Sequence, residues 1–145
     1  MNLETELRRA VLPAMKNSTP LTDIVPRNQI WPKTTPATPA WPFTRYGAST
    51  AIPITASCVN GEDVAFTIHG FAKPRMAGAT MLETAEDHAE RIAGAIKDAL
   101  HKLRVVTASG VNIRIRMTSK QVIQDGAEAD AYHAIVQFRG KVLAE

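Results

Sequence analysis

Two stretches near the C-terminal end alternate apolar and polar side chains without a break. In Val111 to Thr118, Val111, Ile113, Ile115 and Met117 alternate with Asn112, Arg114, Arg116 and Thr118. In Tyr132 to Arg139, Tyr132, Ala134, Val136 and Phe138 alternate with His133, Ile135, Gln137 and Arg139. Successive side chains of a strand point to opposite faces, so each stretch presents one face to a core and one away from it. A parallel sheet covered on both sides would instead show continuous apolar runs. The pattern therefore predicts an α+β fold: a single antiparallel sheet, with a mixed one possible, and helices on one face.

The helices are marked by a different period. Leu3, Leu7, Ala10, Val11 and Ala14 recur at three and four residues, with Asn2 as N-cap and Glu4 and Glu6 in the first turn. Pro13 lacks an N–H and clashes with the carbonyl four residues back, which predicts an end or bend at Leu12 to Ala14. The longer helix is expected over Leu82 to Leu103, striped by Ala85, Ala89, Ile92, Ala93, Ile96, Leu100 and Leu103. Thr80-Met81-Leu82-Glu83 has capping-box spacing, and Gly94, a poor helix former, predicts a close approach of this helix to the sheet.

Pro42 to Tyr46 and Ile52 to Val59 read as two short strands. Asn60-Gly61 supplies the dipeptide favoured in two-residue hairpin turns, and Val64, Phe66 and Ile68 then alternate with Ala65, Thr67 and His69. Ser119 to Asp130 is expected to be a loop. The sum is about four to five strands with two helices on one face, one N-terminal and one between the middle and last strands.

With 145 residues, the chain fits one domain, residues 1–145. Lys and Arg number 17 against 14 Asp and Glu, a basic excess too small to name a nucleic-acid partner. A single cysteine, Cys58, excludes an internal disulfide and a thiolate zinc cluster, and is expected to be a small buried apolar side chain. No run approaches the apolar length of a membrane span, and the charged opening MNLETELRR is unlike a secretion signal, so synthesis and assembly in a cytoplasm are expected.

Catalytic patterns are missing. The histidines at 69, 88, 101 and 133 have no metal-ligand spacing, and no nucleophile elbow or phosphate-binding glycine loop occurs. Glu86-Asp87-His88-Ala89-Glu90 is expected to be the solvated, acidic start of a helix. No cofactor is expected. The polar face of the sheet, with Arg114, Arg116, Arg139, His69 and His133, is the most suggestive constellation, able to follow phosphates or contact a subunit. Phe66, Tyr132 and Phe138 fall on the apolar side, which disfavours base stacking.

Val25 to Phe43 holds five of nine prolines and both tryptophans, Trp31 and Trp41. Pro36, Pro39 and Pro42 have polyproline spacing. Two large aromatics need burial, however, so the stretch is expected to be a stiff arm anchored by Trp31 and Trp41. It packs either on its own domain or on a neighbour.

Taken in order, the elements resemble the tail-completion or tail-terminator family of long-tailed bacteriophages and gene transfer agents. The likeness runs through the N-terminal helix with Leu3 and Leu7, LTDIVPRNQIWP at 21–32, PFTRY at 42–46 and DVAFTIHGFA at 63–72. It continues through ETAEDHAERIAGAIKDAL at 83–100, VNIRIRMTSKQVIQDG at 111–126 and DAYHAIVQFRGKV at 130–142. The resemblance implies a structural virion protein at the head-proximal end of the tail. Six copies would form a ring that caps the tail tube, ends its polymerisation and offers the docking surface for the head connector or head completion protein. Genomic DNA would pass through without sequence-specific binding, and no membrane is involved. Trp31, Trp41, Arg114, Arg116 and Arg139 are the candidate subunit or channel contacts. The rival reading is a small nucleic-acid-binding α+β module using the same basic face.

Overall fold

The structure, a computed structural model, describes residues 2–56 and 58–144. Helix α1 (Leu3–Lys16) and the single turn α2 (Thr19–Thr22) precede a two-residue strand β1 (Ile30–Trp31). Strands β2 (Phe43–Ala56) and β3 (Val59–Ala72) follow, then a small ribbon of β4 (Arg75–Ala77) and β5 (Thr80–Glu83). Helix α3 (Ala85–Leu100), β6 (Arg104–Val106), β7 (Asn112–Gln124) and β8 (Tyr132–Ala144) complete the chain. The main sheet has six strands in the order β1-β2-β3-β8-β7-β6, antiparallel except for the parallel β1–β2 pair. The fold is α+β and the sheet mixed, with six strands in place of the four to five expected and three helices in place of two.

The inner face alternates as the sequence requires. Val64, Phe66 and Ile68 of β3 and Ala134, Val136, Phe138 and Val142 of β8 are buried beneath Leu7 and Val11 of α1 and Ile92 and Ile96 of α3. Tyr46, Phe66 and Phe138 stack across three strands at centroid distances of 5.5 and 5.4 Å. Each large side chain so buried stabilises the fold by about 1.5–3 kcal/mol.

Pro13 does not end α1. It sits on the exposed side of the helix, as does Arg9, whose unpartnered carbonyl can be hydrated there, while Leu3, Leu7, Val11 and Met15 remain on the core. Asn2 is the N-cap, accepting from the Thr5 N–H at 3.2 Å.

Two bulges explain why the strands are longer than expected. Between Tyr46 and Ser49 the register of β2 shifts, so Tyr46 and Ala51 both face inward although their spacing is odd. One 14-residue strand thus looks like two fragments. A second shift, between Met117 and Ser119, reverses the parity of β7, and the expected loop is strand as far as Gln124. Ser57, within the expected strand Ile52 to Val59, lies outside the described residues.

The hairpin turn falls between Ala56 and Val59, which pair with each other, and Asn60-Gly61 lies inside β3. Glycine is needed at 61 for close approach: a Cβ there would meet the Val142 carbonyl oxygen at 2.7 Å. Likewise, Thr80 to Glu83 is strand β5, and the cap of α3 is Thr84, whose hydroxyl accepts from the Asp87 N–H at 3.1 Å. Helix α3 ends at Leu100, three residues before the expected stop. Nothing lies within 4 Å of a Cβ at Gly94; the tight helix–sheet contact is at Gly70 of β3, under Ile92.

Candidate interaction surface

Every helix packs on the inner face, so the outer face of the sheet is available for contacts. Register divides it into a basic end and an aromatic end. At the basic end, one row runs Arg104, Arg114, Lys141, Asp63 across β6, β7, β8 and β3, and the adjacent row pairs Arg116 with Arg139. Asp63, Arg114, Ile115, Arg116, Arg139 and Lys141 line a cleft of about 260 Å³. Arg139 Nε lies 3.4 Å from Asp63 Oδ1, yet it is buried without a hydrogen-bond partner. The three arginines singled out from the sequence therefore meet, joined by Arg104 and Lys141, which the alternation did not reach.

His69 and His133 are not with them; they lie six residues along the same strands, at the aromatic end. His69 Nδ1 and His133 Nε2 are 2.7 Å apart. Phe71 stacks on His133 at 4.3 Å and on Phe43 at 4.7 Å, and Trp41 meets Phe43 and Phe71 edge-on. Burial first, then the Arg45 guanidinium and His133, pushes His69 down to about 4. Burial also lowers His133, with Arg45 adding to the effect and Asp125 opposing it. Continuing the alternation two residues past His69 would have placed Phe71 on this face. Phe66 and Phe138 do face inward, but aromatic rings are present on the outer face as well. These rings stack on one another, and Phe43 is buried.

Both tryptophans sit at this end. Trp31, in β1, pairs in register with Arg45, and its indole nitrogen is buried without a partner. Trp41 carries the Lys73 ammonium at 4.7 Å from its ring centroid. Residues 32–42 join β1 to β2, and parallel neighbours require a crossover of about this length. Most of 32–40 is exposed.

Other expectations are corrected. His88 is not solvated: it is 3% exposed, with its Nδ1 2.9 Å from the Lys73 carbonyl oxygen. At the end of the same helix, His101 Nδ1 accepts from the Met117 N–H at 2.9 Å and ties the helix end to β7. Cys58 is exposed in the β2–β3 turn, with φ +63°.

A family model described as tail completion protein gp17 matches residues 9–142. The chain belongs to this family. The chain is thus a structural protein of a virion tail. Its fold is similar to that of a chain in the virion of a native gene transfer agent particle, with a TM-score of 0.74 and 16% identity over 95% of each chain. A second solved chain, also 16% identical, gives a TM-score of 0.50, with 94% of this chain and 96% of that one covered. No curated protein matches.

Proposed function

We propose that this protein is the tail terminator: six copies form a ring on the last ring of the tail tube, stop polymerisation and present the docking surface for the head connector. The observation that carries the ring is the pair of open sheet flanks. β1 covers only Thr44 and Arg45 of β2, and β6 covers only Asn112 to Arg114 of β7. Loop groups add bonds to Ile115 and Met117, after which the outer edge of β7 continues to Gln124. Long uncovered edges invite pairing with another chain. The two lie on opposite sides of one sheet and run antiparallel, so a head-to-tail contact between copies continues the antiparallel order and generates a ring where the rotation closes. Trp31 and Trp41 then anchor the exposed, proline-stiffened loop 32–40, which reaches an adjacent subunit or the tail ring.

The test is electron microscopy of the protein mixed with tubes of the tail tube protein. A sixfold ring at one tube end, with elongation arrested, is expected. Bare ends on tubes that keep growing would sink the proposal. The basic cluster also favours a monomeric nucleic-acid-binding module, which would bind DNA in a salt-sensitive way without ever capping a tube.

A further inference from the structure

We propose that the basic end of the outer face is a sequence-independent binding surface for the phosphodiester backbone of double-stranded DNA. This rests on the ring reading for how DNA reaches the face, and it selects the channel over a subunit contact as the role of Arg114, Arg116 and Arg139.

Charge placement is the first argument. Arg116 faces Arg139, and Arg114 has Arg104 on one side and Lys141 on the other. Like charges directly opposite on neighbouring strands destabilise a sheet. Among the described residues five cations here face one carboxylate, Asp63, a local net charge of +4 against +3 for the whole chain. Five cations held together against this repulsion, with one carboxylate among them, make a surface suited to a polyanion.

Shape and surroundings decide between DNA and an acidic protein. The cations span three strands and two rows, roughly 10 Å by 7 Å, which matches an extended run of charges better than a single carboxylate. Next to them the outer face carries short polar side chains: Thr50, Thr67, Thr118 and Gln137 line one shallow depression, and the Ser119 hydroxyl bonds Gln137. Hydroxyl and amide groups join Arg and Lys in contacting phosphates. A protein interface needs an apolar, well-packed centre. Here the exposed Ile52, in register with Asp63, and Val106, two residues from Arg104, stand at the rim of the cluster and not at its centre, and among the described residues no aromatic ring stands among the cations to stack on a base.

The experiment measures binding of a fluorescent random-sequence DNA duplex across a salt series, with tube capping by the same preparations scored in parallel. About four neutralised phosphates predict roughly 100-fold weaker binding between about 50 and 200 mM salt. The pair R114E/R116E should abolish binding at the lowest salt. The neutral pair R114Q/R116Q, milder for folding, should lower the log–log salt slope by about 2, and R114K/R116K should restore it. Rings that cap tubes but bind no DNA, or a salt slope unmoved by R114Q/R116Q, would overturn this surface while leaving the terminator intact. DNA binding that follows the arginines without any capping would keep the surface and remove the ring. Loss of capping in R114Q/R116Q with DNA affinity unchanged would make the cluster a contact between copies and refute the proposal.

Discussion

Gly70→Ala and Gly94→Ala have opposite expected effects, although both place one methyl on a glycine near the same helix–sheet interface. At Gly70 a new Cβ would lie 2.6 Å from Ile92 Cγ2 and 3.5 Å from the Ala134 Cβ. Ile92 is fully buried and β-branched, so its methyl cannot swing aside without leaving its helical rotamer. Overpacking of this kind costs about 1–3 kcal/mol. At Gly94 nothing lies within 4 Å of the new methyl, and replacing a mid-helix glycine with alanine gains about 0.5–1 kcal/mol. Ile92→Ala alone should cost about 2–5 kcal/mol. Combined with Gly70→Ala it should cost less than the sum by about 1–2 kcal/mol, because the added methyl enters space that the isoleucine vacates. Urea denaturation followed by circular dichroism gives all four values. Additivity of Gly70→Ala with Ile92→Ala within about 0.5 kcal/mol, or a destabilising Gly94→Ala, would refute the placement of the tight contact beneath Ile92.

Three further outcomes follow from local chemistry. His69 is depressed from 6.5 to about 4, so the unfolded chain takes up the proton first; stability is full above about pH 6.5 and is lost as pH falls towards 4. After discounting for solvent screening, the loss at about pH 5 is on the order of 1 kcal/mol, and H69Q should reduce the fall of urea midpoints across that range, the remainder coming from His133, which burial also depresses. Thr84→Ala should lower stability by about 1 kcal/mol through loss of the α3 cap, whereas Thr80→Ala, in the exposed ribbon, should leave the thermal midpoint nearly unchanged; the reverse order would restore the Thr80 cap. Native Cys58 should react with a maleimide as fast as in denaturant, and Cys58→Gly, which suits the positive φ, should raise stability by up to about 1 kcal/mol; a slow native reaction would contradict its exposure.

Alternation and helical period were enough to place the core. Val64, Phe66, Ile68, Ile113, Ile115, Val136 and Phe138 point inward as their spacing demands, and Ala89, Ile92, Ala93 and Ile96 form the buried stripe of α3, because solvent sorts side chains with the period of the backbone they stand on. The same parity put Arg114, Arg116 and Arg139 on one outer face. Three-dimensional pairing decided the rest. The bulges at Tyr46/Ser49 and Met117/Ser119 invert parity partway along β2 and β7, and an inversion looks like a strand end until a partner strand fixes the register. Strand order separated His69 and His133 from the arginines and added Arg104 and Lys141 to them, since neighbours across a sheet are remote in the chain. Gly61 and Gly70 owe their places to Val142 and Ile92, and no local signal carries a contact with a residue so distant in sequence.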